Sequence, residues 1–197
     1  TILPHAKTIE LPKGDKIYFK HPTLEKNTCY MLLSGAISML KLADNMVVLT
    51  FLDDSLLGDV HSDYYSSQYY LEAEIDSQIL SISSEDVTKI FITQRHWEEL
   101  TVNNARLLNR FFLRDEVLLQ ENSYSIIRKL IPIIMTLPDA VRCNNTLSSL
   151  IQKRAKISRS NLMRIIAYLK TNNYITLDNG RLISALILPE KMKAPLN

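Results

Sequence analysis

Two arginines, Arg159 and Arg164, stand five residues apart in the stretch ISRSNLMRII at positions 157–166. The planar guanidinium is the side chain best matched to the paired O6 and N7 acceptors of guanine, so a helix that projects both has the means to read base edges. Ser158, Asn161, Lys153, Arg154 and Lys156 lie close by, and Arg181 follows. Such hydroxyl, amide and cationic groups hydrogen-bond phosphate oxygens, which fixes orientation and gives salt-dependent affinity without reading sequence. Taken singly, each is also readable as a solvated surface group that contacts nothing.

These residues need a scaffold, and the surrounding sequence spells one. Thr146 can cap a short helix, LSSLIQKRA; Ala155, Lys156 and Ile157 can turn the chain; Ser158 can cap a second helix, RSNLMRIIAYLKTN. That is helix-turn-helix spacing. On a wheel of about 100° per residue, Leu162, Ile165, Ile166 and Leu169 share one face. Ser160, Arg164, Ala167 and Thr171 fall opposite, with Met163 at the margin, and side chains this short admit the helix to a major groove about 12 Å wide. Next, YITLDNGRLISALIL holds two β-prone runs joined by Asn179 and Gly180, a pair suited to the positive φ angles of a type I′ hairpin. This hairpin reads as a wing with Arg181 at its tip.

Charge distribution agrees with that reading. The chain has 197 residues and a formal charge of only +2. Residues 1–121 nevertheless hold 11 Lys and Arg against 18 Asp and Glu, whereas residues 122–197 hold 12 against 3. The basic end is the polyanion-binding end. No run approaches the roughly 18 consecutive apolar residues of a membrane span, and the first 20 residues contain no apolar signal region, so the expected compartment is the cytoplasm. Two widely separated cysteines, Cys29 and Cys143, suit a reducing environment.

The front of the chain alternates short apolar runs with turn residues: LPKGDKIYF, NTCYMLLSGAISMLKL, NMVVLTFL and YYLEAEIDSQILSIS. Their lengths predict an antiparallel roll, turning at Gly14, Gly35 and Gly58 and closed by a short helix capped by Ser84 that runs through Phe91. From Trp97 to about Gln120 the absence of Gly and Pro predicts one long helix with two apolar stripes. Leu100, Leu107, Phe111 and Leu118 have heptad-like spacing and are assigned to a homodimer interface; Leu108, Phe112 and Leu119 form the neighbouring stripe. A further helix starts near Tyr124, is bent by Pro132 and ends before Pro138, leaving DAVRCNN as a loop. The predicted fold class is α+β: an antiparallel β-roll over 1–96, a long dimerisation helix over 97–121, and a winged helix-turn-helix over 122–197.

This layout resembles the Crp/Fnr family of bacterial regulators across nearly the whole chain. LPKGDKIYFKHP and NTCYMLLSGAISML match the family's glycine-punctuated, cyclic-nucleotide-binding-like jelly roll, and ISRSNLMRII matches its recognition helix, with Arg159 and Arg164 at the base-contacting positions. Ser160 stands where many members have glutamate, which alters the sequence preference. NSYSIIRKL and the run from Ile151 to Pro189 are similar to an enterobacterial branch typified by the inhibitor of hydrogen peroxide resistance, whose sensor roll is degenerate. The resemblance implies a homodimeric, stress-related transcription regulator whose partners are double-stranded DNA, a second copy of itself and RNA polymerase.

In members that bind cyclic nucleotide, a Gly-Glu pair is followed about ten residues on by an arginine for the phosphate. Here Leu57, Gly58 and Asp59 keep part of the first element, but HSDYYSSQYYLEAEID has no Arg or Lys. A buried phosphate without a cation is costly, so cyclic AMP is not expected as a ligand. Gly58, Asp59, Tyr69 and Tyr70, with Tyr64 and Tyr65, are the residues of an altered pocket if one exists; packing as core is the competing reading for the tyrosines.

No catalytic signature is present: no Gly-rich phosphate loop, no HExxH, no G-x-S-x-G. His5, His21, His61 and His96 have no close His or Cys partner in sequence, although folding can bring His21 to Cys29; no metal and no cofactor is expected. Cys29 reads as a small buried hydrophobe and Cys143, in a polar basic segment, as the better candidate for a reactive thiol. The competing function class is a small-molecule-sensing module whose winged helix makes protein contacts only.

Overall fold

The computed structural model describes residues 6–19, 28–58 and 68–192. The chain forms two compact units that divide between Phe112 and Leu113, inside the long helix. In the first, among the described residues, eight strands build two four-stranded antiparallel sheets: β1 (Lys7–Leu11), β8 (Ser77–Ser83), β3 (Thr28–Ser34) and β6 (Leu56–Leu57) in one, β2 (Lys16–Tyr18), β7 (Tyr69–Ala73), β4 (Ile37–Lys41) and β5 (Val47–Phe51) in the other. Leu11, Leu32 and Ile79 of the first sheet meet Ile37, Met39, Phe51 and Leu71 of the second in one apolar core. This is the expected roll.

Strand alternation decides the fate of the predicted pocket. Successive side chains of β7 point to opposite faces. Tyr69 packs on the core between the sheets with Leu71 and Ala73, whereas Tyr70 packs with Leu40 and Val47, lies 5.1 Å beneath the Lys16 ammonium and donates its hydroxyl to Asn45 Oδ1 at 2.9 Å. Burial, with the nearby Glu72 charge, pushes the Tyr70 phenol up to about 12, so it stays a donor. The two tyrosines cannot line one pocket, and that expectation is corrected. Gly58 (φ +100) has a local reason to be glycine, because a Cβ there would stand 2.7 Å from the Thr28 carbonyl oxygen. Asp59, Tyr64 and Tyr65 lie outside the described residues, as do His5, His21 and His61.

Helix α1 (Ser84–Gln94) begins one residue earlier than expected: Ser83, not Ser84, is the cap, its hydroxyl accepting from the Asp86 amide at 3.1 Å. Ser84 is helical and buried. Helix α2 (Trp97–Leu118) follows, and its part in the first unit packs on the roll. Leu100 packs on the cluster of Cys29, Ile82, Val87, Ile90 and Phe91, and Leu107 and Phe111 pack on the core of the roll. The Asn103 amide pairs with both backbone groups of Leu56, accepting from its N–H at 3.0 Å and donating to its oxygen at 3.3 Å. Seven residues on, Arg110 covers the Phe51 ring at 5.7 Å and binds Asp53.

These contacts overturn the assignment of the helix stripes. Leu100, Leu107 and Phe111, expected to meet a second copy, are occupied by their own roll, and Leu118 is half-buried. The uncovered stripe is the other one: Leu108 is 52%, Phe112 61% and Leu119 81% exposed. Heptad spacing marks an apolar seam without saying what fills it.

After the end of α2, the second unit continues with α3 (Ser123–Met135), capped by Asn122, whose Oδ1 accepts from the Ser125 amide at 2.9 Å. Pro132 is accommodated inside it. The segment expected as a loop after Pro138 is instead a short helix, α4 (Asp139–Asn144). Pro138 has an extended ψ and offers its carbonyl to the amides of Val141 and Arg142 at 2.9 and 3.1 Å, and Asp139 is an acidic residue in the first turn; both favour a helix start. Among the described residues no helix is long and apolar enough to cross a membrane, and no cluster of His, Cys, Asp and Glu is arranged to hold a metal ion.

Asp53 provides a test of how α2 is held. Burial alone would raise its carboxyl, but hydrogen bonds from Arg110 and Ser55 and the Arg110 charge outweigh that and hold it below the usual range. A depressed folded value contributes stability that is present above the unfolded value of about 4 and is lost as pH falls through the folded value. Both side chains are partly solvated, so Asp53→Asn is expected to cost about 0.5–1 kcal/mol at neutral pH. Urea unfolding of both proteins should show the gap closing in acid; a gap that persists at low pH would contradict the ion pair.

Candidate nucleic-acid interface

Helix α5 (Leu147–Gln152) starts at Thr146, whose hydroxyl accepts from the Ser149 amide at 3.2 Å. A tight turn follows, in which Ala155 N–H donates to Ile151 at 2.8 Å and Ile157 N–H to Ala155 at 3.0 Å. Helix α6 (Arg159–Thr171) begins after Ser158, which sits at the cap position but makes no side-chain cap hydrogen bond. Leu162, Ile165, Ile166 and Leu169 are all buried. That stripe fixes the rotation of α6, so Ser158, Arg159, Ser160, Arg164, Ala167 and Thr171 face solvent. Met163, placed at the margin from the sequence, is 48% exposed.

Asn161 is half-buried and accepts at its Oδ1 from Arg164 Nη2 at 2.9 Å, an i,i+3 contact that pre-orients the guanidinium. Lys156 is exposed and Lys153 half-exposed. Arg154 is a correction. It is 7% exposed, and its Nη1 donates to the Leu150 carbonyl at 3.1 Å within the turn. A guanidinium closed into its own helix end holds the turn together and is withdrawn from the phosphate set.

The wing is β9 (Ile175–Asp178) and β10 (Arg181–Ala185), an antiparallel pair in which Arg181 faces Asp178. Asn179 (φ 48) and Gly180 (φ 82) both occupy the left-handed region, as a type I′ turn requires. Arg181 is exposed beside this turn. The Gly180 carbonyl accepts from the Leu147 amide at 2.8 Å, and a Cβ on Gly180 would lie 3.3 Å from the Thr146 methyl. Wing tip and α5 start are therefore one joint, which was not foreseen.

Residues 123–190 match the family model described as winged helix-turn-helix DNA binding. Over 90% of its length the chain is 28% identical to the inhibitor of hydrogen peroxide resistance of Salmonella typhimurium, covering 86% of that protein. The structure superposes on the c-di-GMP responsive global regulator of Xanthomonas campestris with a TM-score of 0.69, at 15% identity, covering 92% of this chain and 94% of that one. A CRP/FNR-family transcriptional regulator of Thermus thermophilus gives 0.67 at 13% identity, with 89% and 92% covered. The chain has the Crp/Fnr regulator fold.

Within that Crp/Fnr frame, sequence reasoning missed one residue that shapes the wing. The pairing of β10 with β9 shifts register between Leu182 and Ser184, and a bulge leaves carbonyls without ladder partners. Arg142 of α4 supplies the donors: Nη1 reaches the oxygens of Leu182 at 3.2 Å and Ile183 at 3.5 Å, Nε reaches Leu137 at 3.2 Å, and Nη2 pairs with Asp139. In sequence it was one more basic residue in a presumed loop. Cys143, its neighbour, is exposed, and Cys29 is buried.

Removing the Arg142 guanidinium strips donors from several carbonyls at once. Arg142→Ala is expected to destabilise the second unit by about 2 kcal/mol, the scale for charged hydrogen bonds to partly buried acceptors. Chemical denaturation followed by far-UV circular dichroism reads this directly. A change below about 0.5 kcal/mol, ordinary for a surface residue, would show that the bulge does not depend on it.

Proposed function

We propose that the protein is a homodimeric, sequence-specific regulator of transcription that binds double-stranded DNA by laying α6 in the major groove. The observation that carries this reading is the burial of Leu162, Ile165, Ile166 and Leu169, which commits the opposite side of α6, with its two arginines, to the exterior. In this proposal Arg159 and Arg164 read base edges, with Ser160 on the same face. Ser158, Asn161, Lys153, Lys156 and the wing's Arg181 contact phosphate and set register. Two such helices meet successive major grooves about one helical turn apart on a roughly palindromic site.

The second copy joins through the uncovered stripe of Leu108 and Phe112 on α2, with Leu119 just past its end, rather than through the stripe that the roll occupies. The division of labour is a sensor-like roll over 1–96, a dimer helix over 97–121 and a DNA-binding unit over 122–197. Activity is independent of cyclic AMP, on the ground that residues 61–76 contain no Arg or Lys to compensate a phosphate. The name of the Salmonella relative supports genes of oxidative stress as the targets. RNA polymerase is the proposed downstream partner and the cytoplasm the place of action. Binding, with no chemical step, is the whole task.

Selection of duplexes from random-sequence DNA at low salt separates this from a sensing module whose winged helix touches only proteins. Failure to retain any duplex favours that module. Arg159→Ala is expected to cost about 1–3 kcal/mol at one base position and relax preference there, whereas Lys156→Ala weakens all sequences about equally. Equal losses on cognate and scrambled DNA for Arg159→Ala contradict base reading. For the dimer, Phe112→Glu should yield monomers in sedimentation while leaving the monomer folded; an unchanged dimer removes this stripe from the interface.

A further inference from the structure

Met163 lies one turn after Arg159 and one turn before Ala167, on the side of α6 that faces solvent. Its two shorter neighbours on that face, Ser160 and Ala167, have too little bulk to screen it. Arg164, the long neighbour, is drawn the other way: its Nη2 is held by Asn161, which at about 100° per residue lies on the far side of Arg164 from Met163. Met163 itself is 48% exposed, and Arg159, one turn before it, also lies in solvent. The thioether has no task in the core, since Leu162, Ile165, Ile166 and Leu169 already fill the buried stripe.

Consider what such a side chain meets once α6 enters a major groove. Phosphates and the donors and acceptors of guanine, cytosine and adenine offer a thioether nothing that water does not offer better. The large apolar group on a base edge there is the C5 methyl of thymine. Methionine is unbranched and polarisable, and it adapts its shape to a small apolar target. Resting on the duplex-binding reading above, we infer that Met163 reads a thymine through its C5 methyl in each half-site, with the Ala167 methyl extending the contact. Recognition by α6 then has two components, hydrogen bonds from the arginines and apolar contact from Met163, and the second is blind to charge.

Deoxyuridine isolates the methyl, because it removes that group and leaves the pairing edge unchanged. After the full chain has selected its preferred duplex from random DNA, each thymine is replaced singly and the affinity measured. Loss of one buried methyl corresponds to about a fourfold weakening. The wild-type protein should show this at one thymine in each half-site. Met163→Ala should bind the unmodified duplex about fourfold more weakly and lose most of its response to the same replacement, whereas Met163→Leu should keep the sensitivity. The slope of affinity against salt should be equal in all three, because no phosphate contact changes. Indifference of the wild type to every replacement, or equal sensitivity in Met163→Ala, overturns the inference and leaves DNA binding standing. Failure to select any duplex removes both.

Discussion

Four aliphatic side chains on α6 have to leave water together, and their spacing lets only one rotation of that helix satisfy them all. Everything that the second unit presents outward follows from this. With Leu162, Ile165, Ile166 and Leu169 turned in, Arg159, Ser160, Met163 and Arg164 have nowhere to go but out. The face that could meet a partner is thus set by burial energetics and not by the polar residues themselves. Each of the four is worth roughly 1.5–3 kcal/mol when removed from water. A rotated helix forfeits several such terms at once, far more than any surface hydrogen bond returns.

The same logic governs α2, where it gives a less obvious result. A helix apolar on two sides has two surfaces to cover, and its periodicity says nothing about which surface receives which cover. Here polar contacts at a distance act beside the apolar ones. Asn103 completes the short strand β6 through its amide, and Arg110 spans Asp53 and the Phe51 ring. Both project toward the roll, so Leu107 and Phe111, on the same side, go in with them. Phe112 and Leu108 remain outside.

What could be read in the residues was whatever local chemistry dictates. Thr146 as a cap and Asn179 and Gly180 as a tight turn each answer to backbone geometry within a few positions. Where a residue's role depends on something far along the chain, reading failed. Arg142 looked like loop charge because its acceptors lie about 40 residues away in β10. The choice of stripe on α2 rests in part on Leu56, 47 residues before Asn103. Arg154 sat in a basic run and was grouped with its neighbours, although a turn this tight folds its guanidinium back on Leu150. Tyr69 and Tyr70 are a different case, since adjacent residues of a strand always diverge; the signal that they could not share a pocket was present in the sequence.

The hydrogen bond from Leu147 to the Gly180 oxygen joins the hairpin to the first turn of α5 through main-chain atoms alone. Arg142 grips the same hairpin at its bulge, just past the turn at Gly180. Held at its turn and at its bulge, the hairpin is not a loose arm that must find its place when a ligand arrives. Its conformational entropy has been surrendered already, during folding, so the free energy of any later encounter is not diminished by ordering it.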